Sequence, residues 1–244
     1  MQQTIIDLMN KLDLKGAIES FRILNNDPAY LDKTPCSIVL KSLLEAEINH
    51  RDKRRQEALL KTSRLPLHVT ISDWNFNDER DSNEFRSKVA SMLTLNFIEM
   101  GQNLNVLGGS GTGKTFFMSL IGCLACSHGK TVVFYNTNEL INSIKLSRGS
   151  ASYYTKIKTL SGKTVLMLDD FCLFEYDEEE QAILFDILNA RFGKKTTIIG
   201  SQKSMVGWRE TLGETALSES IIERAGRNNF TLVMPGVSRR ANLD

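Results

Sequence analysis

The sequence predicts an α/β protein whose five-stranded parallel sheet is covered by helices and preceded by a small all-helical domain. Three observations lead there. Residues 1 to about 66 repeat apolar side chains at helical spacing. After Gly101 the period changes, and five short apolar runs rich in β-branched residues follow. Helical stretches separate those runs, and strands alternating with helices build a parallel sheet buried on both faces.

In the first region, Ile5, Ile6, Leu8, Met9 and Leu12 precede Leu14, Ala17, Ile18 and Phe21. Cys36, Leu40, Leu43, Leu44 and Ile48 then continue at helical spacing. Pro28 and Pro35 bracket the turn between them. Pro35 suits the first turn of a long helix with Thr34 as N-cap, and Pro66 ends that helix. Residues 67–81 read as a connector carrying Trp74 and Phe76, and from Ser82 to Met100 the pattern is helical again. The predicted strands are Leu104–Leu107, Thr131–Tyr135, Thr164–Leu168, Thr196–Ile199 and Phe230–Val233. The expected domains are therefore 1–66, helical, and 82–244, the sheet domain.

Composition narrows the class. Of 244 residues, 41% are apolar and 24% charged, which excludes a disordered or collagen-like chain. The longest nearly apolar run, Phe116 to Cys126, is too short to span a bilayer. The first residues lack a basic segment before an apolar one, so no secretory signal is expected. Four scattered cysteines do not make a disulfide scaffold. These features together lead us to expect a cytoplasmic protein with no membrane partner. Net charge is +1, but basic residues cluster. Arg51, Lys53, Arg54, Arg55, Lys61 and Arg64 stand against Asp52 and Glu57, and Lys145, Arg148, Lys156, Lys158 and Lys163 against Glu139 alone. Either cluster suits a solvated face or phosphate contacts.

The chemistry centres on Gly108-Gly109-Ser110-Gly111-Thr112-Gly113-Lys114-Thr115, a complete G-x-x-x-x-G-K-[ST] pattern between a strand and a helix. Glycines let the backbone N–H groups wrap a phosphate chain, and the following helix adds its positive end. Lys114 then reaches the β/γ-phosphates, and the Thr115 hydroxyl ligates Mg²⁺. Val165-Leu166-Met167-Leu168-Asp169-Asp170 is an apolar strand ending in paired acids, at the sheet edge where ligands of open α/β sheets bind. Asp169 is the expected Mg²⁺ holder and Asp170 the group that polarises an attacking water.

This combination resembles the AAA+ ATPases, and within them the IstB-type transposition helper proteins related to DnaC helicase loaders. The likeness extends over nearly the whole chain. It includes the basic end of the N-terminal helix, Arg64-Leu65-Pro66, the phosphate loop and Asp169-Asp170. Thr197-Ile198-Ile199-Gly200-Ser201-Gln202 resembles the sensor strand, with Gln202 implied at the γ-phosphate or its water and Ser201 beside it; Trp208 matches a family Trp. Leu217–Arg224 resembles the arginine-finger segment, which implies that Arg224, with Arg227 in reserve, acts in trans across a subunit boundary. Gly236-Val237-Ser238-Arg239-Arg240 matches the closing Gly-x-Ser-x-Arg. Two features depart from larger AAA+ proteins. Asp170 stands where most have Glu, which implies slow hydrolysis, and about ten residues follow the last strand, so the small helical lid is expected to be missing.

The resemblance implies an ATP- and Mg²⁺-dependent ATPase that forms a homo-oligomer on duplex DNA and recruits or stimulates a transposase. The alternative is a DnaC-type helicase loader. A nucleotide kinase would need a lid with several arginines, which the sequence lacks. The implied DNA contacts, mainly to phosphates, are Arg51, Lys53, Arg54, Arg55 and Lys61 in one segment and Lys145, Arg148, Lys156 and Lys158 in the other. Weaker signals remain. Cys123 and Cys126 read as core residues of the helix after the phosphate loop rather than zinc ligands. Trp74 and Phe76 suit either an adenine contact or a staple between domains. Tyr153-Tyr154 reads as packing in preference to base stacking.

Overall fold

The computed structural model describes residues 2–76, 78–79, 81–226 and 229–236. The chain divides into two compact units, Met1–Ala58 and Leu59–Asp244.

The first unit contains α1 (Gln2–Lys11), α2 (Lys15–Leu24), α3 (Pro28–Lys33) and most of α4 (Cys36–Thr62). Its small core is Ala17, Phe21 and Leu43, with Ile5, Ile6, Met9, Leu14, Leu24 and Val39 packed around them. Gly16 lets α2 approach α4, since a Cβ there would stand 2.5 Å from the Ala46 carbonyl oxygen. Buried Glu47 of α4 accepts from the N–H groups of Gly16 (2.8 Å) and Ala17 (3.3 Å), so a carboxylate satisfies the open amides that begin α2.

α4 stops four residues before Pro66. The Thr62 and Ser63 hydroxyls donate to the carbonyls of Leu59 and Leu60, and Arg64 turns the chain with a left-handed φ of 58°. The division between the units falls inside α4 rather than in the 67–81 connector. Leu59 and Leu60 pack against the sheet core, and Leu65 belongs to it.

The second unit continues with a single 3-10 turn (Ile71–Asp73), α5 (Asn83–Leu93), α6 (Asn96–Glu99), β1 (Asn103–Leu107), α7 (Lys114–Ser127), β2 (Val132–Asn136), α8 (Thr137–Lys145) and α9 (Ala151–Gly162). It ends with β3 (Val165–Asp169), α10 (Glu178–Arg191), β4 (Thr196–Ser201), α11 (Met205–Leu212), α12 (Ala216–Gly226) and β5 (Asn229–Val233). The five strands are parallel in the order β2-β3-β4-β1-β5. All five expected strands are present, each within about two residues of its predicted ends. Alternation sorts their side chains: Val165 and Met167 join the core with α5 and α7, while Leu166 and Leu168 join the core with α8, α10 and α12.

The helical pattern from Ser82 to Met100 is borne out as two helices. Ser82 caps α5, which ends at Leu93, and Leu95 takes a left-handed φ of 60° before α6. That conformation costs a non-glycine residue about 1–2 kcal/mol. Burial of Leu95, Phe97 and Ile98 offsets it, at about 1.5–3 kcal/mol per large side chain.

Arg191, 1% exposed, is a second interior feature. Its guanidinium donates to the carbonyls of Leu160, Lys163, Thr164 and Thr196 and to the Thr197 hydroxyl. It gathers the end of α9 and the starts of β3 and β4. Among the described residues, no helix is long and apolar enough to cross a membrane.

Candidate functional site

The strand order sets the carboxyl ends of β3, β4 and β1 side by side, so the acids, Gln202 and the glycine-rich loop meet at one edge. Gly111 and Gly113 have φ of 78° and 96°, left-handed values that let the loop turn its backbone inward before α7. The Lys114 ammonium donates to the carbonyls of Gly108 (2.7 Å) and Gly109 (2.8 Å), curled over the loop it serves. Around it opens a cavity of about 860 Å³. Ser110, Gly111, Gly113, Lys114 and Thr115 of the loop line it, together with Asp170, Leu173 and Gln202 and with Pro66, Leu67, Trp74, Asn75 and Asp78.

Asp169 is 6% exposed, and each carboxylate oxygen is engaged. Oδ2 accepts from the Thr115 hydroxyl at 2.6 Å, and Oδ1 from the Asp170 N–H at 3.0 Å. Burial pushes its pKa above the ordinary carboxylate value, against the pull of those two donors. Thr137 donates to the Asp169 carbonyl at 2.7 Å. Gly200 of β4 makes room for the carboxylate, since a Cβ there would fall 2.4 Å from Asp169 Oδ1.

Asp170 has a left-handed φ of 55°, and its Oδ2 accepts from Asn136 Nδ2 at 3.1 Å. Asn136 works with both ends of its amide. Its Oδ1 accepts from the N–H groups of Asn138 and Glu139 and so caps α8. Asn136, Thr137 and Gly200 escaped the sequence reading. The first carries a visible signal, an asparagine between a strand and a helix. Gly200 shows only as a glycine inside a strand.

Gln202 lines the cavity, but Ser201 does not stand beside it there. Ser201 is buried, donates to the Phe171 carbonyl (2.7 Å) and accepts from the Trp208 indole N–H (2.8 Å). It is a strut that ties β4 to the loop after Asp170. Arg224 lies outside the cavity lining. Its guanidinium sits over Phe185 (4.6 Å) and Phe192 (5.7 Å) and donates to Asn189 Oδ1 and the Ser220 carbonyl. Arg227 and residues 237–240 of the closing motif lie outside the described residues.

The basic residues divide. Lys53, Arg54, Arg55, Lys61 and Lys158 are exposed. Arg51 donates to Glu47 at 2.6 Å. Lys145 pairs with Asp177 (2.6 Å) and Glu180 (3.2 Å), Arg148 with Glu179 (3.2 Å), and Lys156 donates to the Ser143 carbonyl. The positive excess counted along 138–164 is thus offset in space by acids that begin α10.

Trp74 is buried edge-on against Phe117 (5.2 Å) while bordering the cavity, and Phe76 packs against the same core. Cys126 is a core residue of α7, its thiol pushed up to about 11 by burial. Cys123 is half-buried beside the Leu67 carbonyl. Tyr153 is buried with its hydroxyl on Asp186, whereas Tyr154 is exposed.

The profile of the family described as IstB-like ATP binding protein matches residues 8–242. An insertion-sequence ATP-binding protein of Sinorhizobium fredii, y4pL, is 28% identical over 239 residues, covering 97% of this chain and 96% of that one. The insertion sequence IS21 ATP-binding protein of Pseudomonas aeruginosa is 30% identical over 197 residues, covering 81% of this chain and 74% of that one. Among solved structures, DnaI aligns with a TM-score of 0.57 at 22% identity, covering 77% of this chain and all of that one, a likeness of fold.

Proposed function

Because this chain belongs to the IstB-like ATP binding protein family, we propose that it hydrolyses ATP with Mg²⁺, assembles as a homo-oligomer on duplex DNA and recruits or stimulates a transposase. The observation that carries this reading is the convergence of Lys114, Thr115, Asp170 and Gln202 on one cavity, with Asp169 hydrogen-bonded to Thr115. The insertion-sequence proteins that match across most of the chain support the transposition setting.

In this reading the loop amides and Lys114 hold the phosphate chain, and Lys114 exchanges its two carbonyl partners for phosphate oxygens. Thr115 and Asp169 are the metal holders. Their oxygens form the hard donor set Mg²⁺ takes, and they already share one hydrogen bond. Bound there, Mg²⁺ would neutralise charge on the β- and γ-phosphates. Asp170 orients and polarises the attacking water, and Gln202 touches the γ-phosphate or that water. Trp74 and its neighbours border the end of the cavity left for the base. Arg224, which packs over Phe185 outside the lining of its own chain's cavity, suits service in trans.

The test is sedimentation of the protein with duplex DNA, with and without ATP, beside Lys114→Ala. ATP-dependent assembly on DNA, absent in the variant, is expected, together with stimulation of strand transfer by a transposase added to the assay. Assembly and stimulation that ignore both ATP and Lys114 would overturn the reading.

A further inference from the structure

We propose that Arg64 and Ser63, where the chain leaves α4, are positioning residues for Asp170 and act on it through β2. The proposal rests on the reading of Asp170 as the water-orienting acid. Three consecutive β2 residues carry it. β2 is the edge strand of the sheet, paired with β3 on one side only. On its other side the Phe134 N–H donates to the Ser63 carbonyl at 2.8 Å. The next residue, Tyr135, lies under the Arg64 guanidinium, 4.9 Å from its ring centroid. The third, Asn136, donates to Asp170 Oδ2 at 3.1 Å.

The near end of this connection is fixed. Ser63 is fully buried, and its hydroxyl donates to the Leu60 carbonyl and accepts from the Leu65 N–H. Arg64 is held at a φ of 58°, a conformation that non-glycine residues adopt only where their surroundings impose it. The far end is sensitive. Asp170 also has a left-handed φ, and Asn136 divides its amide between Asp170 and the first turn of α8. A shift of the β2 end therefore moves the Asp170 carboxylate and loosens the α8 cap together. Arg64 need not touch nucleotide. It presses Tyr135 into place, and the next residue sets the acid.

The test combines turnover, stability and amide exchange. Exposed cation–π contacts are weak, so Arg64→Ala should lower kcat by about 2–5-fold. KM for ATP and Tm should stay unchanged. Arg64→Lys, which keeps a cation over the ring, should restore turnover, and Tyr135→Leu should match Arg64→Ala. In an Asn136→Ala background, Arg64→Ala should cost nothing more, because the connection is already cut. Independently of turnover, the amides of Asn138 and Glu139, which Asn136 caps, should exchange faster in Arg64→Ala. Unmoved exchange, unmoved kcat, or a penalty that persists in full without Asn136 would each overturn the proposal. So would a change in KM or Tm that accounts for the loss. If the wild-type rate does not exceed that of Lys114→Ala, the hydrolysis reading fails instead, and the exchange result alone decides the positioning role.

Discussion

The Thr115 hydroxyl donates to Asp169 Oδ2 at 2.6 Å, joining the first turn of α7 to the end of β3. Both oxygens are hard donors, and a metal held by them would replace one hydrogen bond with two coordinate contacts. Thr115→Val should therefore keep metal-free ATP binding and lose the gain that Mg²⁺ adds, by about tenfold or more (1.4 kcal/mol per decade). Titration of a fluorescent ATP analogue in Mg²⁺ and in EDTA checks this. Equal Mg²⁺ enhancement in variant and wild type would remove Thr115 from the metal site.

Asn136→Ala and Asp170→Ala should separate binding from turnover. Asp170→Ala removes the group that polarises the water, and such groups contribute roughly 10²–10⁴-fold to rate. Asn136→Ala leaves the acid but frees it, so a smaller loss of kcat is expected with ATP affinity retained. It should also lower stability by about 1 kcal/mol through loss of the α8 cap. Steady-state hydrolysis and thermal melting measure the two effects. Normal turnover in Asp170→Ala would reassign the water-orienting role.

Glu47 gives the helical unit a pH dependence. Burial works to raise its pKa, but the Arg51 hydrogen bond and the N–H groups of Ala17 and Gly16 outweigh it and hold it below the ordinary carboxylate value. A lowered folded-state pKa means the contribution is complete above the unfolded pKa and is lost as pH falls through the folded one. Acidification below about pH 4.3 should therefore loosen α2. Glu47→Ala should remove about 1–3 kcal/mol at neutral pH and flatten the acid response. Amide exchange in α2, corrected for intrinsic rates, reads both. An unchanged acid response in the variant would exclude Glu47 as its source.

The ion pairs of α8 and α10 redistribute the expected DNA contacts. Lys145 and Arg148 already face Asp177, Glu179 and Glu180, so each adds little net attraction for a phosphate. Alanine at Lys53, Arg54 or Arg55 should reduce the salt slope of duplex binding by about one for each phosphate left without its cation. Alanine at Lys145 or Arg148 should change it less, and Asp177→Asn with Glu179→Gln should raise affinity. Anisotropy titrations over salt, with ATP, measure this. A larger slope change at Lys145 than at Arg54 would reverse the assignment.

These outcomes separate what sequence can show from what it hides. The phosphate loop and the strands were legible because they depend on local pattern: glycine spacing, apolar runs and the switch in period. Asp169 and Asp170 were legible because they end such a run. Asn136 was only half visible. Its cap of α8 is local, but its bond to Asp170 depends on β2 lying beside β3 in the register that pairs Asn136 with Asp169. The charge count over 138–164 omits its balancing acids for the same reason, since they lie at 177–180. The break at Leu95 has no glycine or proline to announce it. Nothing local marks Arg191 as interior, and only the packed sheet reveals it.

The strand order also implies a sequence of assembly. β2 and β3 pair Val132 with Val165, and β3 and β4 pair Val165 with Thr196, so each closure spans little more than thirty residues. β1 instead pairs Leu104 with Ile198 and with Phe230, closures of about a hundred residues or more. Longer closures cost more chain entropy and form later. The half of the sheet that carries Asp169 is therefore expected to condense first. β1, and with it the glycine-rich loop, would slot in between β4 and β5 as the last step. Competence to bind nucleotide would then mark the completion of folding, and a chain caught before that step would hold its acids in place with no phosphate cradle opposite them.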